Sequence, residues 1–153
     1  MITFIKLGGS LITDKKIENH FRPDAAQRIA AEIAEALAAQ PDLQILLGHG
    51  SGSFGHVAAN RHGTIKGVRT PESWRGFAEV ATVAAELNFL MAQTLSRAGI
   101  PVLRIQPSAS TRCHDGIIVS MALDPIRSAL DHGLVPLVYG DVALDDLRGG
   151  TIV

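Results

Sequence analysis

Residues 48–56 read GHGSGSFGH and follow directly on the apolar run Leu43–Leu47. Each glycine forfeits roughly 0.5–1 kcal/mol of ordering entropy relative to alanine, so a segment this rich in glycine calls for a reason to keep its backbone bare. Unobstructed backbone N–H groups approach an anion closely, and the N-terminus of a following helix adds its positive end. Phe54 to Ala59 read as the first turn of such a helix, with His56 offering a ring N–H beside it. Two further turns have the same character: Gly8-Gly9-Ser10 after Ile2–Leu7, and Gly140-Asp141 after Leu134–Tyr139. One glycine turn alone reads as a plain bend with a surface histidine. KLGGS and GHGSGSFGH at the same edge of a sheet point instead to a phosphate site.

Familiar nucleotide motifs fail on context. Gly50 to Gly55 satisfy G-x-G-x-x-G, but about 20 positions on stand Arg69-Thr70-Pro71-Glu72 rather than an acidic residue closing a strand. With Val57 the stretch fits a protein-kinase glycine loop, yet the V-A-I-K, H-R-D and D-F-G segments are missing, as is a Walker A sequence. Lysine placement is more informative. The chain has four lysines, and Lys6, Lys15 and Lys16 all fall within the first sixteen residues. Phosphoryl transfer asks mainly for cations and donors around the moving group, which Lys6 and Lys15 at a phosphate cradle supply. Lys16 reads as solvated. His49, His56 and His62 have no zinc-site spacing, and no metal site is expected. His49 reads as a loop residue without ligand contact, and Cys113-His114 as incidental.

These residues need elements to hold them. Ile2–Leu7, Leu43–Leu47, Val102–Ile105 and Leu134–Tyr139 read as strands, the second buried on both faces. Asp24–Ala39, with Ile29, Ile33 and Leu37 spaced by four, reads as a helix with Asp24 as N-cap. Glu72–Ala98 is a longer helical pattern in which Phe77, Val80, Ala84 and Leu87 share a face, and Asp124–His132 is a shorter one. Ile117-Ile118-Val119 is an ambiguous run that suits a short edge strand, and VALDDLRGGTIV has the pattern of a hairpin. Alternating strands and helices imply an α/β fold, a three-layer αβα sandwich on a mostly parallel open sheet. Right-handed crossovers gather the carboxyl ends of its strands, and so the three glycine turns, at one edge.

Composition narrows the class. At 153 residues the chain has the length of one domain, and its 46% apolar content supplies a core. Fourteen basic against fifteen acidic residues give no pull toward nucleic acid or an anionic membrane. No apolar stretch approaches the ~20 residues of a membrane span. A single cysteine, Cys113, excludes an internal disulfide and suits a reducing compartment, so a soluble cytoplasmic protein is expected.

Lys6–Ser10, Ile12-Thr13-Asp14-Lys15 and Gly48–His56 resemble isopentenyl phosphate kinase, a branch of the amino acid kinase superfamily. Gln106-Pro107-Ser108-Ala109 and Val135–Val142 extend the resemblance over most of the chain. The G-x-G-S-F-G-H element separates this branch from acetylglutamate and aspartate kinases, and less cleanly from fosfomycin kinases. The resemblance implies an enzyme that phosphorylates isopentenyl phosphate to isopentenyl diphosphate with ATP and Mg2+. Lys6, Leu7, Gly8, Gly9, Ser10 and Gly52 would contact the ATP phosphates. Ser51, Gly55 and His56 would hold the acceptor phosphate, Phe77 and Val80 would wall its isoprenoid tail, and Lys15 would neutralise the transferring group. Lys6, Lys15 and His56 are thus the expected catalytic residues, in an expected homodimer. On the same resemblance, residues 1–153 correspond to the N-terminal, phosphate-acceptor part, without the nucleotide-binding half. A related phosphate or phosphonate kinase such as a fosfomycin kinase, or a non-catalytic phosphate-binding or dimerisation module, stands as the alternative.

Overall fold

The computed structural model describes residues 1–153. In chain order the elements are β1 (Ile2–Leu7), α1 (Gly9–Ile12), α2 (Pro23–Ala39), β2 (Gln44–His49), α3 (Gly52–His62), α4 (Pro71–Arg97) and β3 (Val102–Arg104). They continue with α5 (Pro107–Ser110), β4 (Thr111–His114), β5 (Ile117–Met121), α6 (Asp124–Asp131), β6 (Val135–Tyr139), β7 (Val142–Asp145) and β8 (Gly149–Ile152). Strands β1, β2, β6 and β3 lie side by side in that order, every pair parallel. The remaining strands form a second sheet, β5-β4-β7-β8, in which only β4 and β7 are parallel. The α/β sandwich expected from the alternation is therefore present, with the two hairpins added as a separate sheet.

Strand periodicity decides which helix covers which face. Successive side chains point to opposite faces, so Ile45 and Leu47 of β2 join Val135 and Leu137 of β6 on one side. There they pack with Ala26, Ala30 and Ile33 of α2 and Leu87, Met91 and Leu95 of α4 in a fifteen-residue core. Leu46 and Val138 face the other way, against Ile126 and Leu130 of α6. That second layer is partial. Strand β2 alternates between buried and half-buried positions rather than being buried on both faces as expected. On edge strand β1, Phe4 is 73% exposed.

Helix ends differ from the expectation in instructive ways. Asp24 lies inside the first turn of α2; Arg22 is the N-cap, because Pro23 takes the first helical position, where its missing N–H costs nothing. Helix α4 starts with a capping box: Ser73 N–H donates to Thr70 Oγ1 at 3.2 Å, and Thr70 N–H donates to Ser73 Oγ at 2.8 Å. Ile117–Met121 is the edge strand that its apolar run suggested. The pattern VALDDLRGGTIV forms the β7–β8 hairpin, four residues in each arm.

Candidate phosphate-binding site

The parallel register β1–β2–β6 brings the carboxyl ends of the three strands level, with Leu7 opposite His49 and His49 opposite Tyr139. The three glycine turns follow immediately and touch. A Cβ at Gly9 would lie 2.5 Å from the Gly52 nitrogen, and one at Gly140 would lie 3.1 Å from the Ser51 nitrogen. Only glycine permits the first contact. Gly52 also has φ +52°, in the left-handed region, and a methyl there would overlap the Thr13 side chain. Gly50 N–H donates to Leu7 C=O at 3.0 Å and Gly140 N–H to His49 C=O at 2.8 Å, which ties the turns to one another.

Thr13 is the fastener between the first two turns, and the sequence pattern did not single it out for this. Its hydroxyl donates to Gly9 C=O at 2.8 Å and accepts from Ser53 N–H at 3.0 Å. Helix α3 is thereby docked with its N-terminus beside KLGGS. The N–H groups of Gly8 and Ser51 have no acceptor within the protein. Bare donors on adjacent turns at a helix N-terminus are what an anion requires.

A cavity of about 430 Å³ opens here, lined by Phe4, Lys6, Gly48, Gly50, Ser51, His56, Tyr139 and Gly140 among others. Ser51 Oγ and His56 Nδ1 lie 3.0 Å apart. With the hydroxyl donating, Nδ1 accepts and Nε2 carries the ring proton, which no protein group takes up. Gly55 has a different part from the substrate contact expected of it. A Cβ there would sit 2.5 Å from Ser51 Cβ, so its bareness leaves Ser51 room over the first turn of α3.

The structure brings Lys6, Ser51 and His56 together on the cavity and leaves other expected residues outside it. Gly8, Gly9 and Gly52 form the adjoining turns; Leu7 is buried and contributes its carbonyl, while Ser10 is exposed on α1. Lys15 stands exposed on the loop closed by the Thr13–Phe21 bridge, away from the cavity wall. Val80 is buried with Ala58, Ala59 and Val142, and half-buried Phe77 packs on this cluster and edge-to-face on Trp74. Both belong to packed interior rather than to the cavity wall. His49, expected in a loop, ends β2 and is 2% exposed; burial lowers its pKa, opposed in part by its bond to Gly50 C=O. The three histidines have separate partners: Asn88 for His49, Ser51 for His56 and Glu79 for His62.

One acidic residue organises the surroundings. Asp141 is buried and accepts from Ser108 N–H at 3.0 Å and Val142 N–H at 2.8 Å, which seats α5 beside the β6 turn. The Tyr139 hydroxyl is buried without a partner, and burial together with the Asp141 charge pushes its pKa up. No carboxylate lines the cavity and no group of metal-ligating side chains converges, so this donor set favours anions.

Comparison with known proteins identifies the family. The model of the amino acid kinase family matches residues 1–151. Isopentenyl phosphate kinase of Methanothermobacter thermautotrophicus is 39% identical over 149 residues, covering 94% of this chain and 54% of that protein. Isopentenyl phosphate kinase of Methanocaldococcus jannaschii is 32% identical, covering 100% of this chain and 60% of the relative. A crystal structure of isopentenyl phosphate kinase superposes with a TM-score of 0.90 at 37% identity, over 100% of this chain and 63% of that one. The chain thus spans roughly half to three fifths of the length of these two relatives.

Proposed function

The chain belongs to the amino acid kinase family, and from that premise we propose that it is the phosphate-acceptor unit of an ATP-dependent kinase acting on isopentenyl phosphate. The observation that carries the reading is the Ser51–His56 pair, set at 3.0 Å on a cavity that Lys6 also lines. His56 Nε2–H and the free Ser51 N–H are donors for a phosphate monoester, and the Lys6 ammonium offsets its charge. The tail lies along the apolar part of the same cavity, where Phe4, Leu46 and Val138 are exposed to it. Phe77 and Val80, packed against β7 and β8, enter the proposal only as the wall behind the site.

The turns Gly8-Gly9 and Gly52 are proposed to take the phosphates of ATP: Gly8 N–H is unengaged, and a side chain on Gly9 or Gly52 would wedge the two turns apart. ATP supplies the phosphoryl group. Mg2+ would enter bound by the ATP phosphate oxygens and would offset their charge. An oxygen of the acceptor monophosphate forms the new P–O bond as the bond to the ADP oxygen breaks. The transition state spreads negative charge over three equatorial oxygens, so fixed donors and lysine ammonium groups do most of the work. Lys6, on the cavity, is proposed to meet this charge, and Lys15 to do so by swinging its flexible side chain in from the neighbouring loop. A cytoplasmic setting is supported by the lone buried thiol of Cys113. A homodimer is part of the proposal and is taken up at the scale of the whole molecule below.

Titration calorimetry tests the acceptor assignment. Isopentenyl phosphate is expected to bind and isopentenol to fail. His56→Ala should weaken binding by about 10–100-fold, the value of one hydrogen bond to a charged group. Equal affinity for the phosphate and the alcohol, or an unchanged His56→Ala, overturns the assignment. Fosfomycin binding in preference to isopentenyl phosphate would move the chain to the neighbouring branch. Phosphoryl transfer itself is read by following isopentenyl diphosphate with phosphorus NMR in the presence of Mg-ATP.

A further inference from the structure

Behind the cavity lies a polar chain, running from exposed Arg104 to buried Asn88 and His49, that neither the acceptor nor the ATP reading uses. Arg104 Nε donates to Asn88 Oδ1 at 2.7 Å. The Asn88 amide nitrogen lies 3.1 Å from His49 Nε2, and His49 Nδ1 lies 3.0 Å from Gly50 C=O. Both ends are obligate: a guanidinium only donates and a carbonyl only accepts. The direction of every bond between them follows. Asn88 must turn its oxygen to Arg104 and its N–H to the ring, so Nε2 is bare, Nδ1 carries the proton, and His49 is neutral. The Tyr139 ring lies against His49, 5.9 Å between centroids and 18° between planes, and Asn88 is fully buried. The imidazole is held on three sides.

What the ring acts on is a single peptide. His49 fixes the Gly50 carbonyl, and in a trans peptide the following N–H points the opposite way. That N–H belongs to Ser51, has no acceptor in the protein, and lies where a Cβ on Gly140 would come within 3.1 Å. Gly140 thereby keeps the donor's approach open. Gly50, Ser51 and Gly140 all line the cavity.

We propose that His49 is a positioning residue, which through Gly50 C=O sets the Gly50–Ser51 peptide so that Ser51 N–H is presented to the acceptor phosphate. This rests on the reading of the cavity as a phosphate-monoester site. The relay Arg104→Asn88→His49→Gly50 gives one orientation to the Gly50–Ser51 peptide, which has no other hydrogen bond in a turn whose neighbouring peptides are already tied. Preorganisation of this kind removes the cost of ordering the donor when ligand arrives.

The test begins with the wild-type chain and nitrogen-15 NMR of its histidine rings. His49 is expected as the Nδ1–H, Nε2-bare tautomer at neutral pH; the Nε2–H tautomer overturns the relay. On addition of isopentenyl phosphate the Ser51 amide proton should move downfield as it engages the phosphate. In His49→Phe that movement should be lost and affinity should fall about tenfold, one hydrogen bond to a charged group. His49→Asn, whose amide can still donate to Gly50 C=O, should recover part of both. Binding of isopentenyl phosphate with an unmoved Ser51 amide removes the positioning role and leaves the acceptor site standing. No binding by the wild type removes both. Should His49→Phe fail to fold, the tautomer and the Ser51 shift in the wild type still decide.

Discussion

At the scale of single residues, the site depends less on its charged groups than on the small side chains that fix backbone positions. Thr13 is the clearest case. Buried at 1% exposure, it joins Gly9 C=O to Ser53 N–H and so couples the two turns across forty residues of sequence. Thr13→Val keeps the shape and removes both bonds. Gly9 C=O retains the Thr13 backbone N–H as a partner, but Ser53 N–H is left buried and unsatisfied. The expected loss is about 1–3 kcal/mol of stability, read from urea denaturation, with weaker acceptor binding beyond it because α3 is no longer docked. A variant with wild-type stability and affinity would show that the glycine turns hold each other without Thr13. The glycine turns, Lys6 and His56 stood out in the sequence because glycines crowd directly after apolar runs and three of the chain's four lysines fall in its first sixteen residues, while Ser51 entered only through the resemblance. Thr13, Asn88 and Arg104 did not stand out, since a threonine after an apolar pair or an asparagine on a helix face carries no signal until the fold supplies its partner. His49 shows the same limit: beside glycines it reads as loop, and only the register with Tyr139 places it inside.

At the scale of elements, most strands and helices followed from period and punctuation, and in the hairpin sheet only β4 did not. Parallel strands with helical crossovers announce themselves through apolar runs ended by glycine. Strand β4, TRCH, has neither alternation nor an apolar run, and it forms because β7 pairs with it on one side and β5 on the other. Asp145 is what allows the β7–β8 turn to close. Its carboxylate accepts from the N–H groups of Asp115, Gly116, Leu147 and Arg148, at 2.7 to 3.2 Å. Burial alone would raise the pKa of this carboxyl, and the four donors overcome that and hold it below its ordinary 3.8. A carboxyl depressed in the folded state contributes its stability above the unfolded pKa and loses it as pH falls through the folded value. The melting temperature should therefore fall as pH is lowered from about 5 toward 2. Asp145→Asn should start from a lower melting temperature and lose less of it over that interval, because its amide does not titrate. Parallel curves for the two proteins would assign the acid sensitivity to other carboxylates.

At the scale of the whole molecule, the uncovered apolar surface is the unresolved demand of the fold. Helix α6 covers the second face of the sheet only over β6 and part of β2, while β1 presents Ile2 at 42% and Phe4 at 73% exposure beside its open edge. On the opposite edge, Leu103 of β3 and Phe89 of α4 are 40% and 48% exposed, with the Arg104 guanidinium 5.5 Å from the centre of the Phe89 ring. Edge strands with exposed apolar side chains are templates for association. The two edges differ in what they favour. Strand β1 offers an open edge six residues long next to Phe4, and β3 one of only three, flanked by a groove in which Phe89 and Leu103 lie beside the Arg104 guanidinium. A discrete two-fold dimer suits the second surface, since an isologous contact closes on itself and stops. Sedimentation velocity over a range of concentrations distinguishes the two. A dimer that Leu103→Lys dissociates and Phe4→Lys leaves intact supports the homodimer through β3 and α4. Association that Phe4→Lys abolishes, and that Leu103→Lys does not touch, assigns it to the open face of β1. A monomer at every concentration overturns the dimer.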